Sequence, residues 1–168
     1  MIDCQLAKAL FNYDPESGEL TWRVDTSATP KDKPVGTITR PKIKGYTSYI
    51  RVNVLGQPYK AHRIAWLMQT GDWPKSYIDH IDGDGLNNRW ENLREATASQ
   101  NAYNQKVRSD NTSGVKGVSY DKKRDLWYVY IDVNKKRKHL GRYETKDEAV
   151  AARLVAEKAY HGEYARSA

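Results

Sequence analysis

Cysteine is nearly absent from this sequence of 168 residues, and long apolar runs are missing altogether. Because Cys4 is the only cysteine, an internal disulfide and a cysteine-rich zinc site are excluded, which fits a reducing compartment. No apolar stretch has the length of a transmembrane helix, and the first residues lack the basic and apolar regions of a signal peptide. We therefore expect a cytoplasmic protein without a membrane partner.

Acidic residues are outnumbered: 21 Asp and Glu stand against 28 Lys and Arg, which gives a net charge of +7. Such a surplus fits a polyanionic partner such as nucleic acid, although many other proteins share it. A hydrophobic fraction of 39% with 11% aromatic residues is enough for a folded core and argues against a disordered chain. The length suits one or two small domains.

Local patterns predict short elements throughout the chain. In the first 71 residues they predict a helix over 5–13, strands over 19–24, 46–54 and 57–61, a loop over 25–45, and a helix that ends at Gly71. A short strand follows at 77–81, and Thr97 with Gln100 is a capping box that starts a helix. Residues 106–113 are polar and basic, as in a linker. Beyond them we expect strands over 117–120, 127–133 and 138–143, then a helix opened by a second capping box, Thr145 with Glu148.

The chemistry-bearing residues are concentrated around the strand predicted at 77–81. Asp79 and His80 are adjacent at its end, where the twist of a strand lets both side chains reach one cleft. Asn101 lies on the following helix. Carboxylate and amide oxygens suit Mg²⁺, Mn²⁺ or Ca²⁺ rather than zinc, and a neutral imidazole is a suitable general base for water. A metal with a histidine base is sufficient for phosphodiester hydrolysis.

This region resembles the HNH motif of phage and intron-encoded homing endonucleases, which have a ββα-metal fold. The motif is carried by IDHIDGD at 78–84, NNR at 87–89, ENLR at 91–94 and QNAYN at 100–104. The resemblance implies that His80 is the general base and that Asp79 and Asn101 bind one divalent ion, Mg²⁺ or Mn²⁺. It also implies that Asn92 ties the loop together and orients the base. The third motif position is Asn101 rather than His, which makes zinc a poorer fit.

The last third of the chain contains SGVKGV at 113–118, Trp127, HLGRY at 139–143 and YHGEYA at 160–165. With these segments in this order it resembles the APETALA2/ethylene-response-factor DNA-binding domain, which also occurs attached to phage HNH endonucleases. That family lays a three-stranded sheet in the DNA major groove. The residues we assign to DNA contact are Lys116, Ser119, Lys123, Arg124, Tyr128, Tyr130, Arg137 and His139. Ser119 and Asp132 stand where the plant pattern has arginines, so its base preference does not transfer.

Strand alternation divides the sheet in the same way without reference to any family. Trp127, Val129 and Ile131 share the face expected to meet the helix. Tyr128 and Tyr130 share the opposite face with Asp132, Arg137 and His139.

Together these observations predict an α+β protein with a ββα-metal (HNH) nuclease domain and a small three-stranded antiparallel sheet with one packed helix. We expect the nuclease domain at 1–105 (scaffold 1–60, motif core 61–105), the linker at 106–113 and the DNA-binding domain at 114–168. The predicted activity is metal-dependent hydrolysis of double-stranded DNA. We expect a homing-type enzyme of a phage that nicks or cuts DNA in the host cytoplasm. We expect a monomer and leave a dimer open, since one HNH site cuts one strand.

Three questions stay open at this point. One alternative is a non-catalytic DNA-binding regulator whose HNH scaffold is silent, and another is a nuclease directed at RNA or at a particular nucleic-acid structure. His62 has either a structural role between a strand and a helix or contact with substrate. Trp66, Trp73 and Trp90 are interpreted as packing residues.

Overall fold

Short antiparallel strands dominate the secondary structure. The computed structural model describes residues 1–26, 29–41, 47–107 and 110–166, and in them it has ten strands and four α-helices. The α+β class expected from the sequence is therefore confirmed. The chain divides into two units, Met1–Ala96 and Thr97–Ala168. Within the described ranges, no helix combines the length and apolar character of a membrane span.

The first unit contains three small sheets. Its elements are α1 (Cys4–Leu10), β1 (Phe11–Tyr13), β2 (Leu20–Trp22), β3 (Thr37–Thr39), β4 (Tyr49–Val54), β5 (Gln57–Lys60), α2 (Ala61–Thr70), β6 (Tyr77–His80) and β7 (Leu93–Ala96). β1 pairs with β2, β4 lies between β3 and β5, and β6 pairs with β7. The core under these sheets is formed by Phe11, Val52, Ile64 and Leu67, all nearly inaccessible to solvent. Gly71 ends α2 in the left-handed conformation, as its position predicts.

Two expectations for this unit were wrong. The helix predicted over 5–13 stops at Leu10, because Phe11 is buried in an extended segment that pairs with Trp22. The region predicted as loop contains β3, which pairs with β4. Residues 27–28 and 42–45 of that region, and Tyr46 at the start of the next predicted strand, lie outside the described residues. The other bounds agree with prediction to within a few residues.

β6 and β7 hold the region of the motif. β7 has no counterpart among the predicted strands, yet it pairs along the whole length of β6 and places Arg94 opposite Asp79. Between the two strands the chain makes a loop that closes through the 3₁₀ turn Trp90–Asn92. The motif is therefore a hairpin with a long, internally bonded loop.

The second unit is a sheet with a helix packed on it. Its elements are α3 (Ala98–Tyr103), β8 (Val118–Asp121), β9 (Leu126–Val133), β10 (Lys136–Tyr143) and α4 (Lys146–His161). β9 is the central strand, between β8 and β10. Both predicted capping boxes are present with both of their hydrogen bonds, at the start of α3 and of α4. Val129 and Ile131 are fully buried, and Val129 packs with Ala149 of α4, so the predicted division of faces is confirmed.

The division between the units comes earlier in the chain than the boundary proposed from the sequence. Helix α3, assigned there to the nuclease domain, is part of the second unit because the Tyr103 ring stacks on His161 at 3.6 Å. The end of the predicted linker is also built into this unit. Ser113 is buried, and its hydroxyl donates to the carbonyl of Val118 at 2.7 Å. Residues 108–109 of that linker lie outside the described part of the chain.

Candidate functional site

Asp79 and His80, the last two residues of β6, are both 4% exposed. Neighbouring side chains of a strand point to opposite faces, so different groups bury Asp79 and His80. The His80 ring packs at 4.8 Å against His62, nearly perpendicular to it, and at 5.9 Å against Tyr49. The Asp79 carboxylate faces Arg94 across the β6–β7 pair. The structure thus brings a buried imidazole and a buried carboxylate together at one strand end.

The orientation of His80 is set by Asn88. His80 Nε2 and Asn88 Oδ1 are 3.0 Å apart, and Asn88 is 3% exposed. Since an amide oxygen only accepts, Nε2 carries the proton and the lone pair of the neutral ring is on Nδ1. Burial lowers the pKa of His80, although the Asn88 hydrogen bond and the charges of Asp82 and Asp79 act in the opposite direction. His80 is therefore neutral at physiological pH and able to accept a proton.

Asn92 holds the loop between β6 and β7. Its Oδ1 accepts from the backbone N–H of Asp82 at 3.0 Å, and its Nδ2 donates to the Asn87 carbonyl at 2.8 Å and to the Asp82 carboxylate at 3.0 Å. The Asn92 carbonyl accepts from the N–H of Ile81. These bonds agree with the role of tying the loop together that the sequence analysis assigns to Asn92. The asparagine whose side chain hydrogen-bonds to His80 Nε2, however, is Asn88.

Asp79 has a partly buried cationic partner. The Arg94 atoms Nε and Nη2 both donate to Asp79 Oδ2, at 3.0 and 2.9 Å. A carboxylate is the type of ligand that a hard divalent cation prefers. The assignment of Asp79 as one of the two metal ligands stays a prediction. Among the residues that the structure describes, no cluster of three His, Cys, Asp or Glu side chains could hold a metal, so amide oxygens would have to complete a ligand set.

Asn101 lies on α3 and therefore belongs to the second unit. Its side chain is half-buried, and its backbone N–H donates to the carbonyl of Thr97 in the first turn of the helix. Its assignment as the second metal ligand stays a prediction.

His62 is a packing partner of the catalytic candidate. It is 3% exposed at the start of α2, its ring contacts His80 and Tyr49, and burial lowers its pKa to about 2. A permanently neutral ring against His80 favours the structural role that the sequence left open. The tryptophans also pack as expected: Trp66 lies against Trp90 at 5.1 Å, and Trp73 stacks on Tyr59.

The outer face of the second unit's sheet carries aromatic and cationic side chains in contact. The Arg137 guanidinium lies 3.7 Å from the centre of the Tyr130 ring, and His139 stacks on Tyr128 at 4.7 Å. Asp132 binds Arg137 through two hydrogen bonds, Nε to Oδ1 at 2.9 Å and Nη2 to Oδ2 at 3.1 Å. The five predicted outer-face residues of β9 and β10 are therefore neighbours.

The remaining residues assigned to DNA contact are placed differently. Ser119 is exposed and lies opposite Tyr128, on the same face. Lys123 and Arg124 are exposed in the turn after β8, where Arg124 pairs with Asp121. Lys116, in contrast, is half-buried, and its Nζ donates to the Tyr103 carbonyl at 2.6 Å. Burial lowers its pKa to about 8. Its amine is thus engaged within the unit.

Two residues of the site were missed by sequence reasoning. Asn88 and Arg94 stand inside the quoted motif segments, but nothing local distinguishes Asn88 from Asn87. Their roles follow from pairing across the hairpin, which a linear pattern does not reveal.

Comparison with known proteins gives matches over the region of this site. The family model described as HNH endonuclease matches residues 59–103. Protein 3.8 of Escherichia phage T7 is 40% identical over 114 residues, which cover 66% of this chain and 93% of that protein. An uncharacterized HNH endonuclease of Acanthamoeba polyphaga mimivirus is 51% identical over 43 residues, covering 26% of this chain and 22% of that protein. No solved structure matches the chain significantly.

Proposed function

The chain belongs to the HNH endonuclease family, and from that premise we propose that it hydrolyses phosphodiester bonds of double-stranded DNA with the aid of one divalent metal ion. Family membership supports a nuclease that acts on DNA. The observation that carries the proposal further is the buried His80, neutral and oriented by Asn88, beside the carboxylate of Asp79. We further propose a phage enzyme of the homing type that works in the host cytoplasm; the relatives from a phage and a giant virus support the viral context alone.

His80 is the general base in this proposal. Its Nδ1 takes a proton from a water molecule, the water oxygen attacks phosphorus, and the bond from phosphorus to the 3′ oxygen breaks. The products carry a 5′ phosphate and a 3′ hydroxyl. Asn88 holds the tautomer that presents Nδ1, and His62 and Tyr49 hold the ring in place. Asn92 acts indirectly, because it fixes the loop that contains Asn88.

Asp79 and Asn101 are the proposed protein ligands of the ion, Mg²⁺ or Mn²⁺. An ion held there would offset the negative charge that develops on the phosphate and on the leaving oxygen. Arg94 fixes the rotamer of the Asp79 carboxylate through the two bonds to Oδ2. One such site cuts one strand, so we propose nicking as the elementary event.

The second unit is proposed to bind DNA through the outer face of its sheet, in the manner of the APETALA2-type domain that the sequence resembles. Tyr128, Tyr130, Arg137 and His139 form a continuous aromatic and cationic surface there. Ser119 extends it, and Lys123 and Arg124 in the adjoining turn are suited to phosphate contact. Tethered to this face, the nuclease site would act at a raised local concentration of DNA.

Nicking of supercoiled plasmid tests the nuclease proposal. We expect the wild type to convert plasmid to the open circle with Mg²⁺ or Mn²⁺ but not with EDTA. His80→Ala and Asp79→Asn should lose at least about 100-fold in rate. Asp72→Asn, which removes an exposed carboxylate outside the site, is the matched control and should retain the wild-type rate.

DNA binding by the same variants separates this proposal from its alternative. Tight binding without cutting under any metal condition would favour the regulator, in which the HNH scaffold is silent. Equal cutting by wild type and His80→Ala would remove His80 from the mechanism.

A further inference from the structure

Two like charges face each other on the exposed side of the β4–β5 pair. Arg51 and Lys60 are directly opposite in the register, and both side chains are exposed. Directly opposed like charges destabilise a strand pair by a few tenths of a kcal/mol or more. Arg63 adds a third charge close by. Although Lys60 as a whole is exposed, its ammonium group lies over the Tyr49 ring, and this partial desolvation together with Arg63 lowers the pKa of Lys60. Lys60 also precedes α2, where the positive end of the helix dipole adds to the repulsion.

No acidic side chain compensates this cluster among the described residues. The ion pairs of the described chain do not include Arg51, Lys60 or Arg63. Arg63 donates instead to the carbonyls of Ser76 and Pro74, at 3.0 and 3.3 Å, which satisfies its N–H groups without neutralising its charge. Three cations without an acidic partner repel one another in the free protein, and an anionic ligand would relieve that repulsion.

These cations line a groove with aromatic walls. The groove encloses about 640 Å³, and its lining includes Tyr49, Tyr59 and Trp73 beside Arg51, Lys60 and Arg63. The Lys60 ammonium lies 4.1 Å above the centre of the Tyr49 ring. The same Tyr49 ring packs against His80 at 5.9 Å. The groove thus adjoins the candidate catalytic residues through one shared side chain, inside the first unit.

We propose that this cationic groove, formed by Arg51, Lys60 and Arg63 around Tyr49, binds backbone phosphates of the DNA next to the bond that is cut. The inference rests on the proposed nuclease function and adds a DNA contact site to the first unit. Several separate cations arranged around aromatic walls suit a ligand with repeated phosphates, since each contact releases a condensed counterion. A substrate held in this way would be positioned at His80 independently of the sheet in the second unit.

The test measures DNA affinity and its salt dependence for Arg51→Gln/Lys60→Gln, in the full-length chain. Anisotropy of a labelled duplex is followed in EDTA, so that cutting does not interfere, over a range of NaCl concentrations. Losing two phosphate contacts should reduce the slope of log K against log salt by about 1.8, and it should lower affinity at 0.1 M salt by at least about 10-fold. Lys8→Gln/Lys31→Gln removes two exposed charges from the same unit away from the groove and should leave both quantities unchanged.

A stability measurement distinguishes ligand binding from a structural role. Arg51→Gln removes the opposed charge but keeps the contact of Lys60 with Tyr49, so Tm should stay constant or rise by about 2 °C while DNA affinity falls. A fall in Tm together with unchanged affinity would overturn the proposal, as would a salt slope equal to that of the control. Failure of the nuclease proposal would be recognised separately, because the wild type would then bind DNA without nicking it. The DNA affinity of the groove variants would still test the groove.

Discussion

The contact between Asn88 and His80 makes a sharp prediction about catalysis. The bond from Nε2 to Asn88 Oδ1, at 3.0 Å, is buried, and it selects the tautomer with its lone pair on Nδ1. Asn88→Ala removes the acceptor and leaves a buried N–H without a partner, which costs about 1–3 kcal/mol. Because each 1.36 kcal/mol corresponds to a factor of ten, we expect the productive tautomer to become about 10- to 100-fold rarer.

The appropriate assay is single-turnover nicking of supercoiled plasmid with enzyme in excess, so that the rate reports chemistry rather than binding. Asn88→Ala should lose about 10- to 100-fold in rate, whereas Asn88→Asp retains an acceptor and should lose much less. Asn87→Ala is the comparison within the same loop, since Asn87 bonds to Asp82 and not to the His80 ring. It should stay within about 3-fold of the wild type.

Two results would refute this reasoning. Wild-type rates in Asn88→Ala would mean that the ring is oriented without Asn88. Equal losses in Asn87→Ala and Asn88→Ala would mean that the integrity of the loop matters and the tautomer does not. Thermal unfolding of each variant shows whether a loss of rate follows from a loss of folded protein.

The remaining predictions concern stability. Arg94→Ala leaves the Asp79 carboxylate buried without its cation, so it should lower the free energy of unfolding by about 3 kcal/mol, measured in urea titrations. If Asp79 binds the metal, Mg²⁺ should raise the Tm of this variant more than it raises the Tm of the wild type. Lys116 has a folded-state pKa of about 8, below the ordinary value for lysine, so the folded state favours the neutral amine. The free energy of unfolding should therefore rise as the pH increases from about 8 towards 10.5, and Lys116→Met should abolish that part of the rise. An unchanged pH profile in Lys116→Met would contradict the assignment.

Local sequence signals predicted the parts of this molecule that depend on local contacts. The capping boxes at Thr97 and Thr145 each join residues three apart, and both sets of hydrogen bonds are present. The alternation from Trp127 to Ile131 gave the two faces of β9, because side chains in a strand alternate whatever their neighbours are. The turn glycine Gly71 marked the end of α2 for a similar local reason.

What the sequence did not reveal depends on partners far away in the chain. The register that places Arg94 opposite Asp79 requires the hairpin to close over a loop of twelve residues, and no periodic signal marks β7. Phe11 was predicted in a helix but lies in a strand, because its burial and its pairing with Trp22 outweigh its helical propensity. The grouping of α3 with the second unit rests on the stack of Tyr103 on His161, 58 positions apart in the sequence.

Asp132 shows how the structure changes the meaning of a departure from a family pattern. In the sequence, Asp132 is an acid where the plant pattern has an arginine, so the base preference of that pattern does not transfer. In the structure its carboxylate holds the Nε–Nη2 edge of Arg137, whose plane also lies on the Tyr130 ring. The Nη1 side of the guanidinium is the edge suited to a guanine base, and an arginine fixed in advance loses less side-chain entropy when it binds. Asp132 therefore reduces the net charge of the face but fixes the orientation of the Arg137 guanidinium. If this face binds DNA as proposed, an arginine held in this way would favour selectivity over affinity.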